Sequence, residues 1–383
     1  MGIYLDYNAS APIDERVLDV MVNVYKNVYG NSDSRTHDYG DEARKLVENA
    51  RGQVASLLGV NNSEVFFTSG STESNNLAIR GLLDYANETG KKHIITSTIE
   101  HKAVLETVKS LEKEGFKVDF VNPDVDGRVD VENISNLIEE DTLLVSLMHA
   151  NNETGIIQQI KELGEMLYEK GILFHVDATQ SCGKLVPELR DVKYNMLSLS
   201  AHKLSGPQGV GALILRKKRY KLPPVKAITY GGQQEHGIRP GTVPVALVAG
   251  LGKACELAEK EYKDNIRKYQ ENKELVISLI EHSGLDYDFN GKQEYCMPNT
   301  INVSFKGVQS EALMLSSKQY CGISNGSACT SNDYSPSYVL TAMGLDVDRI
   351  SSAVRISWGA KTDSEKLKEN LSNLLDIAKG FAY

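Results

Sequence analysis

The chain has 383 residues, of which 41% are hydrophobic and 24% charged, and its formal net charge at pH 7 is -9. This composition does not indicate bulk disorder, and the length is too great for one compact core, so we expect two domains or one large and one small lobe. The acidic balance argues against direct nucleic-acid binding, because contacts to phosphates need an excess of Lys and Arg. We find no secretory signal and no apolar run near the ~20 residues that span a bilayer, so we expect a cytoplasmic protein.

Five cysteines occur at irregular spacing, at Cys182, Cys255, Cys296, Cys321 and Cys329. They form neither a CxxC pair nor a Cys/His cluster of the zinc-finger type, so we predict no metal site. We expect reduced thiols rather than a disulfide framework, which belongs to oxidising compartments.

Short apolar runs alternate with helical patterns in the middle of the chain, which is typical of an α/β protein with a largely parallel sheet. The predicted strands lie in EVFFTSG from Glu64, HIITSTIEH from His93, LLVSLMHANNETG from Leu143, ILFHVDATQ from Ile172, MLSLSAHK from Met196 and GALIL from Gly211. The first five runs end in polar or ionisable residues. Because ligands of open α/β sheets bind beyond the carboxyl ends of the strands, we expect one site there.

A charged helical pattern from about Gly252 to Gln270 suits a connector between domains. The segments after it predict a smaller α+β unit and a charged C-terminal helix: NTINVSF from Asn299, YCGISNGSACTS from Tyr320 and AVRISWG from Ala353.

Lys203 follows an apolar strand and precedes a glycine-rich turn in SLSAHKLSGPQG. A lysine that forms a Schiff base must be fixed at a strand or loop end so that its amine reaches an aldehyde carbon. Ser200 and His202 flank it with groups suited to a phosphate. An isolated lysine is more often a solvated surface residue, but the neighbouring motifs favour the Schiff base.

Asp177 ends the apolar strand of HVDATQ. A carboxylate there is costly unless it meets a cation, and a pyridinium nitrogen is such a cation. Gln180 is placed to bond a ring hydroxyl. The alternative is that Asp177 caps a helix N-terminus.

TSGSTESNN from Thr68 combines a strand end, a tight turn and a helix start at Ser71 and Thr72. Amides and hydroxyls gather around a phosphate in such a setting, although the same letters also form an ordinary capping box. His101 ends the next strand, where stacking on a ring, proton transfer and a purely structural role all remain open.

These motifs together resemble the class V branch of fold-type I pyridoxal-phosphate (PLP) enzymes, specifically cysteine desulfurases of the NifS/IscS type. The likeness covers nearly the whole chain, in family order: YLDYNASAP, TSGSTESNNLAIRG, EHKAV, HANNETG, HVDATQ, LSAHKLSGPQGVG, RPGTVP, SNGSACTS and VRISWG. It implies a large PLP-binding domain over residues 15–255, with a mostly parallel central sheet. A small α+β domain, formed by residues 1–14 and 256–383, would carry the catalytic cysteine loop.

The resemblance also implies how PLP is held. Lys203 would form the Schiff base, Asp177 would pair with the pyridine nitrogen, Gln180 would bond the ring oxygen and His101 would stack on the ring. The phosphate ligands would be Ser71, Thr72, Ser200, His202 and, from the neighbouring subunit of a homodimer, Thr242.

The same resemblance makes Asn152 and Arg355 the residues that bind L-cysteine, with Arg355 forking onto its carboxylate. Lys203 would act as the base at the α-carbon. Cys329, in a Gly/Ser/Asn-rich segment, would take the sulfur as a persulfide and pass it to an acceptor protein, leaving L-alanine. The other four cysteines have structural interpretations.

Alternatives from two classes remain open at this point. One is another PLP enzyme of the same fold, such as an aminotransferase, a kynureninase-like lyase or a selenocysteine lyase. The other is a catalytically silent scaffold in a sulfur-transfer complex. Departures from the commonest family pattern at YNASAP, NSDSRTH and SWGAKT leave the proposed cofactor ligands unchanged.

YNASAP, with RPGTVPVALVAGLG and SNGSACTSNDYSPSYVLTAMG, looks more like the desulfurases that supply sulfur for DNA phosphorothioate modification than like iron–sulfur enzymes. Because the chain is acidic, sulfur would have to reach DNA through a protein partner.

Overall fold

The strands and helices are defined in a computed structural model that describes residues 2–326 and 336–382. The strands are β1 (Ile3–Tyr4), β2 (Val65–Thr68), β3 (His93–Ser97), β4 (Lys117–Val121), β5 (Thr142–Met148), β6 (Leu173–Asp177), β7 (Met196–Ser200), β8 (Gly211–Leu215), β9 (Tyr287–Phe289), β10 (Thr300–Phe305), β11 (Cys321–Gly322) and β12 (Ala353–Ser357). The α-helices are α1 (Glu15–Asn27), α2 (Asp38–Leu58), α3 (Ser71–Arg80), α4 (Leu83–Thr89), α5 (Lys102–Glu112), α6 (Val131–Asn136), α7 (Ile160–Lys170), α8 (Val186–Asp191), α9 (Val245–Glu281), α10 (Ser310–Ser317), α11 (Tyr338–Ala342), α12 (Val347–Ser351) and α13 (Ser364–Phe381).

Within those ranges the large sheet has seven strands in the order β2-β8-β7-β6-β5-β3-β4. β8 runs antiparallel to β2 and β7, and the other neighbouring pairs are parallel. The largely parallel sheet is therefore confirmed, and each predicted strand forms. β4 is not predicted from the sequence. This strand lies at the edge of the sheet, where its half-exposed KVDFV run lacks the continuous apolar character of the inner strands.

Helices cover both faces of this sheet. Successive residues of β2 enter different hydrophobic clusters, with Val65 and Phe67 in one and Phe66 in the other. Side chains of a strand alternate between faces, so a sheet covered on both sides needs strands that are apolar throughout. The polar residues gathered at the carboxyl ends of β3, β5, β6 and β7 consequently stand at one edge of the sheet.

A second, smaller sheet lies in the C-terminal part of the chain. It is antiparallel with the order β12-β10-β9, while β1 pairs in parallel with β11. Its core includes Leu5, Phe305, Trp358 and Leu371, all fully buried. The start of the chain therefore packs against the C-terminal third, through β1 and Leu5.

The connector helix α9 is longer than the sequence pattern indicates, with 37 residues from Val245 to Glu281. Its first half supplies Leu251 and Cys255 to the core under the large sheet, and its second half supplies Val276 and Ile280 to the small core. We retain as a proposal the division into residues 15–255 against 1–14 with 256–383, whose boundary falls within this helix. No helix of the described residues combines the length and the apolar character needed to cross a membrane.

Candidate active site

A cavity of about 1230 Å³ opens at the carboxyl edge of the large sheet. It gathers most of the predicted site residues into its walls: Ser71, Thr72, His101, Asn152, Asp177, Gln180, His202, Lys203 and Arg355. Ser200 and Thr242 do not line it, and Cys329 lies outside the described residues. Residues far apart in the sequence therefore meet at one place, because most of them follow strands that end at the same edge of the large sheet, while Arg355 comes from β12 of the small sheet.

Lys203 reaches the cavity from a short 3₁₀ turn, Ala201–Lys203, that directly follows β7. Its Nζ donates hydrogen bonds to the carbonyls of Asn8 and Ala9, both at 2.5 Å. The N-terminal segment that was predicted to belong to the small domain therefore lies against this amine.

Asp177 is the last residue of β6 and only 4% exposed. Its Oδ2 accepts a hydrogen bond from Asn75 Nδ2 at 2.8 Å, and its Oδ1 accepts from the backbone N–H of Thr179 at 2.9 Å and from the Thr179 hydroxyl. The next α-helix begins only at Val186, so the alternative of an α-helix N-cap at Asp177 is wrong. The carboxylate instead closes a local turn and faces the cavity.

Three lining residues carry buried polar atoms that have no hydrogen-bond partner among the described residues. They are Gln180 Oε1, Asn152 Oδ1 and Arg355 Nε. The other amide atom of Gln180 donates to the Asn8 carbonyl at 2.9 Å, which fixes the side chain. Because buried polar groups are normally paired, these three atoms indicate a site for polar ligand groups.

The first turn of α3 borders the cavity at Ser71 and Thr72, and the N–H groups of a first helical turn have no partner within their own helix. Gly70 precedes it with φ 152°, and a side chain at Gly70 would begin 3.7 Å from Ser200 Oγ. Ser200 therefore lies next to this turn, although it does not line the cavity. A helix N-terminus with nearby hydroxyls favours an anion.

His202 and His101 flank Lys203 in the cavity wall. Burial, together with the charges of Lys203 and Lys184, lowers the pKa of His202 to about 4, so the ring is neutral at pH 7. His101 caps α5, and its Nδ1 accepts from the Ala103 N–H at 3.1 Å. Desolvation by the surrounding protein lowers the pKa of His101, and the charge of Asp177 acts in the opposite direction. The residue is nevertheless exposed, because its ring lines the open cavity.

Arg355 lies on β12 of the small sheet and is 3% exposed. Its Nη1 donates to the Asn152 carbonyl at 2.8 Å, and its Nη2 donates to Asp6 Oδ1 at 2.5 Å. These contacts fix the guanidinium while Nε remains without a described partner. A rigid, buried guanidinium of this kind is suited to binding a carboxylate.

Glu153 is a residue of this wall that the sequence analysis misses. Its buried carboxylate accepts a hydrogen bond from the Ser337 hydroxyl at 2.5 Å. Burial raises its pKa, while the Ser337 hydrogen bond and the Arg355 charge act against that rise. A Cβ added to Gly326 would lie only 1.9 Å from Glu153 Oε2, so these two residues are in tight contact.

Sequence reasoning also misses Asn8, Asn75 and Lys184, whose side chains or carbonyls contact site residues. Asn75 stands within a motif already quoted, TSGSTESNN, but its spacing gives no sign that it reaches Asp177. The sequence pattern does not predict the contacts of Asn8 or Lys184 either. Asn8 contacts Gln180, which is distant in the chain, and Lys184 contacts main-chain carbonyls.

The donors and acceptors of the cavity fit PLP, the cofactor implied by the sequence motifs. Lys203 has the amine that a Schiff base with an aldehyde needs, Asp177 has a buried carboxylate suited to a pyridinium nitrogen, and the N-terminus of α3 suits a phosphate. The unpartnered Gln180 and Asn152 oxygens provide the further polar contacts that a ring hydroxyl and an amino-acid substrate need.

The chain is similar over almost its whole length to proteins of one family. The model of the aminotransferase class-V family matches residues 3–369. Cysteine desulfurase IscS of Proteus mirabilis (strain HI4320) is 43% identical over 370 residues, which make up 96% of this chain and 90% of that protein. A solved NifS-like protein has a TM-score of 0.90 at 36% identity and covers 99% of this chain and 100% of its own. The crystal structure of DndA from Streptomyces lividans has a TM-score of 0.81 at 40% identity, over 93% of this chain and 99% of its own.

The chain therefore belongs to the aminotransferase class-V family and has its PLP fold type I. The resemblance inferred from the sequence motifs is confirmed. Within this family, the chain is a PLP-dependent cysteine desulfurase of the IscS and NifS type.

Proposed function

We propose that this chain converts L-cysteine to L-alanine and that Cys329 takes the sulfur as a persulfide. One observation carries the proposal. The cavity that holds Lys203 and Asp177 is also lined by Gly326 and Pro336, the described residues on either side of the segment that contains Cys329. Three residues of chain span at most about 10 Å, and this short separation from Gly326 supports the proposal that the Cys329 thiol acts in this cavity.

The remaining cysteines support the choice of Cys329, because a thiolate is needed to attack sulfur. Cys182, Cys255, Cys296 and Cys321 are all buried. Burial raises the pKa of Cys182 and of Cys321 to about 12, and it raises those of Cys255 and Cys296 as well. None of these four thiols ionises readily at pH 7.

The substrate is held at its carboxylate by Arg355 and is oriented by Asn152. Bound PLP supplies the sink for the electrons of the Cα–H bond. Lys203 takes that proton and later returns a proton to carbon. The Cys329 thiolate forms an S–S bond to the substrate sulfur as the Cβ–S bond breaks, and the electron pair of that bond passes to carbon. Alanine leaves once Cβ has been protonated.

The cofactor contacts complete this proposal. Asp177 pairs with the ring nitrogen, Gln180 bonds the ring oxygen and His101 stacks on the ring. The phosphate ligands in the proposal are Ser71, Thr72, Ser200 and His202.

The proposed enzyme is a homodimer in which Thr242 reaches the phosphate of the neighbouring subunit. Thr242 is exposed and absent from the walls of its own cavity, which supports a contact made elsewhere. Two-fold dimers are also the commonest oligomers. Co-expression of the Lys203→Ala and Thr242→Ala variants tests this. A hybrid dimer should regain one intact site, whereas activity no higher than that of the separate variants contradicts the shared site.

Sulfur then passes to an acceptor protein in the cytoplasm. We propose DNA phosphorothioate modification as the pathway, with iron–sulfur cluster or thio-cofactor synthesis as its competitor. Deletion of the gene in its host, followed by assays of phosphorothioate linkages and of iron–sulfur enzymes, separates them. Unchanged linkages with collapsed iron–sulfur activity reject the DNA pathway.

The persulfide itself provides the direct test. The purified protein is incubated with L-cysteine, and the modified residue is located by mass spectrometry of its peptides. We expect a mass gain of one sulfur atom on Cys329. Cys329→Ser should retain the cofactor absorbance and lose sulfide release, while Cys321→Ser serves as the matched control. Near-normal turnover of Cys329→Ser contradicts the assignment.

A further inference from the structure

Lys184 is a buried lysine behind the active-site wall, only 8% exposed. Its Nζ donates to the Gln180 carbonyl at 2.8 Å and to the Lys203 carbonyl at 3.3 Å. The ion pairs of the described residues include no carboxylate partner for it. A buried ammonium is costly, and burial lowers its pKa to about 8, which leaves the amine mostly charged at pH 7. We therefore expect the buried Lys184 ammonium to have a function that offsets the free-energy cost of its desolvation.

The two carbonyls belong to the two turns that deliver the central site residues. One turn follows β6 and carries Asp177 and Gln180, and the other follows β7 and carries Lys203. The ladder between these strands ends where Asp177 faces Ser198. Beyond that point Lys184 joins the two turns through its amine.

The charge of Lys184 also acts on the cavity. Together with the charge of Lys203, it lowers the pKa of His202, which lies in the cavity wall. Lys184 therefore contributes positive potential on the side of the cavity where His202 stands, and that potential favours an anion.

We propose that Lys184 is a positioning residue that ties the Lys203 turn to the Gln180 turn, so that the Lys203 amine and the Asp177 carboxylate are held in register for the cofactor. This inference rests on the proposed attachment of the cofactor at Lys203. Loss of Lys184 frees the two turns to move apart and removes a positive charge from the neighbourhood of the Lys203 linkage.

Lys184→Met tests the proposal, because methionine has a similar length but neither charge nor donor. Lys273→Met is the matched control. Lys273 likewise donates to main-chain carbonyls, those of Gln293 at 3.3 Å, Cys296 at 3.4 Å and Met297 at 3.2 Å, but it does not line the cavity. Two properties are measured: the dissociation constant of PLP from the apo-protein, and the pH midpoint of the visible absorbance of the bound cofactor.

We expect Lys184→Met to weaken PLP binding by about tenfold, the effect of losing a charge-assisted hydrogen bond. The absorbance midpoint should move to higher pH, because removal of a nearby positive charge raises the proton affinity of the linkage. Lys184→Arg should recover most of the affinity, and Lys273→Met should leave both properties unchanged. Wild-type affinity with a wild-type midpoint in Lys184→Met overturns the proposal.

A thermal melt of each apo-protein shows whether it is folded. If Lys184→Met lacks a cooperative transition, the pH midpoint of the cofactor absorbance in Lys184→Gln decides instead, since that variant removes the charge and keeps one donor. A shifted midpoint supports the proposal, and an unshifted one overturns it. Borohydride reduction of the wild-type holoenzyme with peptide mapping separates the two levels of inference. A label on another lysine defeats the Lys203 assignment, whereas a label on Lys203 with an unaltered Lys184→Met defeats only the role of Lys184.

Discussion

Asn75 Nδ2 donates to Asp177 Oδ2 at 2.8 Å, while the other oxygen of Asp177 is satisfied by Thr179. The carboxylate is therefore held in one orientation by groups from two different elements, α3 and the turn after β6. A carboxylate held in one orientation is what the proposed pairing with a ring nitrogen requires. The orientation of the Asp177 carboxylate thus depends in part on an asparagine that does not line the cavity.

We expect Asn75→Ala to weaken PLP binding by about 10- to 100-fold, because a hydrogen bond to a charged group is worth about 1.5–3 kcal/mol after solvent exchange. The measurement is a titration of the apo-protein with PLP followed by absorbance. Asn373→Ala is the control, since Asn373 makes an exposed hydrogen bond to a main-chain carbonyl on α13. Equal affinity in the two variants would show that Asp177 keeps its orientation without Asn75.

Arg355→Lys should raise the KM for L-cysteine by about 10- to 100-fold and change the absorbance of the bound cofactor little. A lysine cannot hold a carboxylate with two parallel hydrogen bonds while also contacting Asp6 and Asn152. Steady-state kinetics with a range of cysteine concentrations give KM and kcat separately. Arg349→Lys is the control, because Arg349 bonds Asn290 and Phe289 away from the cavity. An unchanged KM for Arg355→Lys contradicts the assignment.

Gly326→Ala should slow sulfide release by about tenfold, the scale expected when a reacting group is misplaced by a fraction of an ångström or more. The added Cβ would lie 1.9 Å from Glu153 Oε2, so one of the two must move, and Gly326 directly precedes the segment with Cys329. PLP loading should stay normal because the cofactor contacts lie elsewhere. Gly380→Ala is the control, since a Cβ there meets nothing within 4 Å. Normal sulfide release from Gly326→Ala would mean that Glu153 or residue 326 can shift to remove the steric clash without affecting catalysis.

The pH dependence of stability should reveal the buried His175. Burial lowers its pKa to about 4, while Asp177 acts in the opposite direction, and its ring nitrogens contact the hydroxyls of Ser146 and Ser198. The unfolded chain takes up a proton near pH 6.5, whereas the folded chain does not do so until about pH 4. Stability due to this group is therefore full above pH 6.5 and falls as the pH drops toward 4.

His175→Gln should flatten the slope of unfolding free energy against pH by about 1.2 kcal/mol per pH unit between pH 6 and pH 5. Urea unfolding at several pH values gives that slope. His282→Gln, at the exposed end of α9, is the control. A slope identical to that of the wild-type protein would mean that His175 is already protonated in the folded state.

Local pattern was sufficient for much of the fold. The inner strands are apolar throughout because both faces of the sheet are covered, and this character is visible in the sequence. The ends of β6 and β7 likewise carry their site residues, Asp177 and Lys203, in recognisable settings. β4 is not predicted because an edge strand lacks such a continuous apolar run. The length of α9 is underestimated because its two halves pack into two different hydrophobic cores, so no single apolar pattern spans the helix.

The sequence alone determined the strand-end residues that face the cavity, since their position follows from the order of strands and turns along the chain. Only the tertiary structure decided what holds them there. Arg355 is paired with Asp6, Asp177 with Asn75, and Lys203 is tied to Gln180 through Lys184. These contacts join residues from different elements or use main-chain carbonyls, which every residue type has. Periodicity and spacing describe only neighbours along the chain, so contacts of this kind become visible only once the sheet brings the distant segments together.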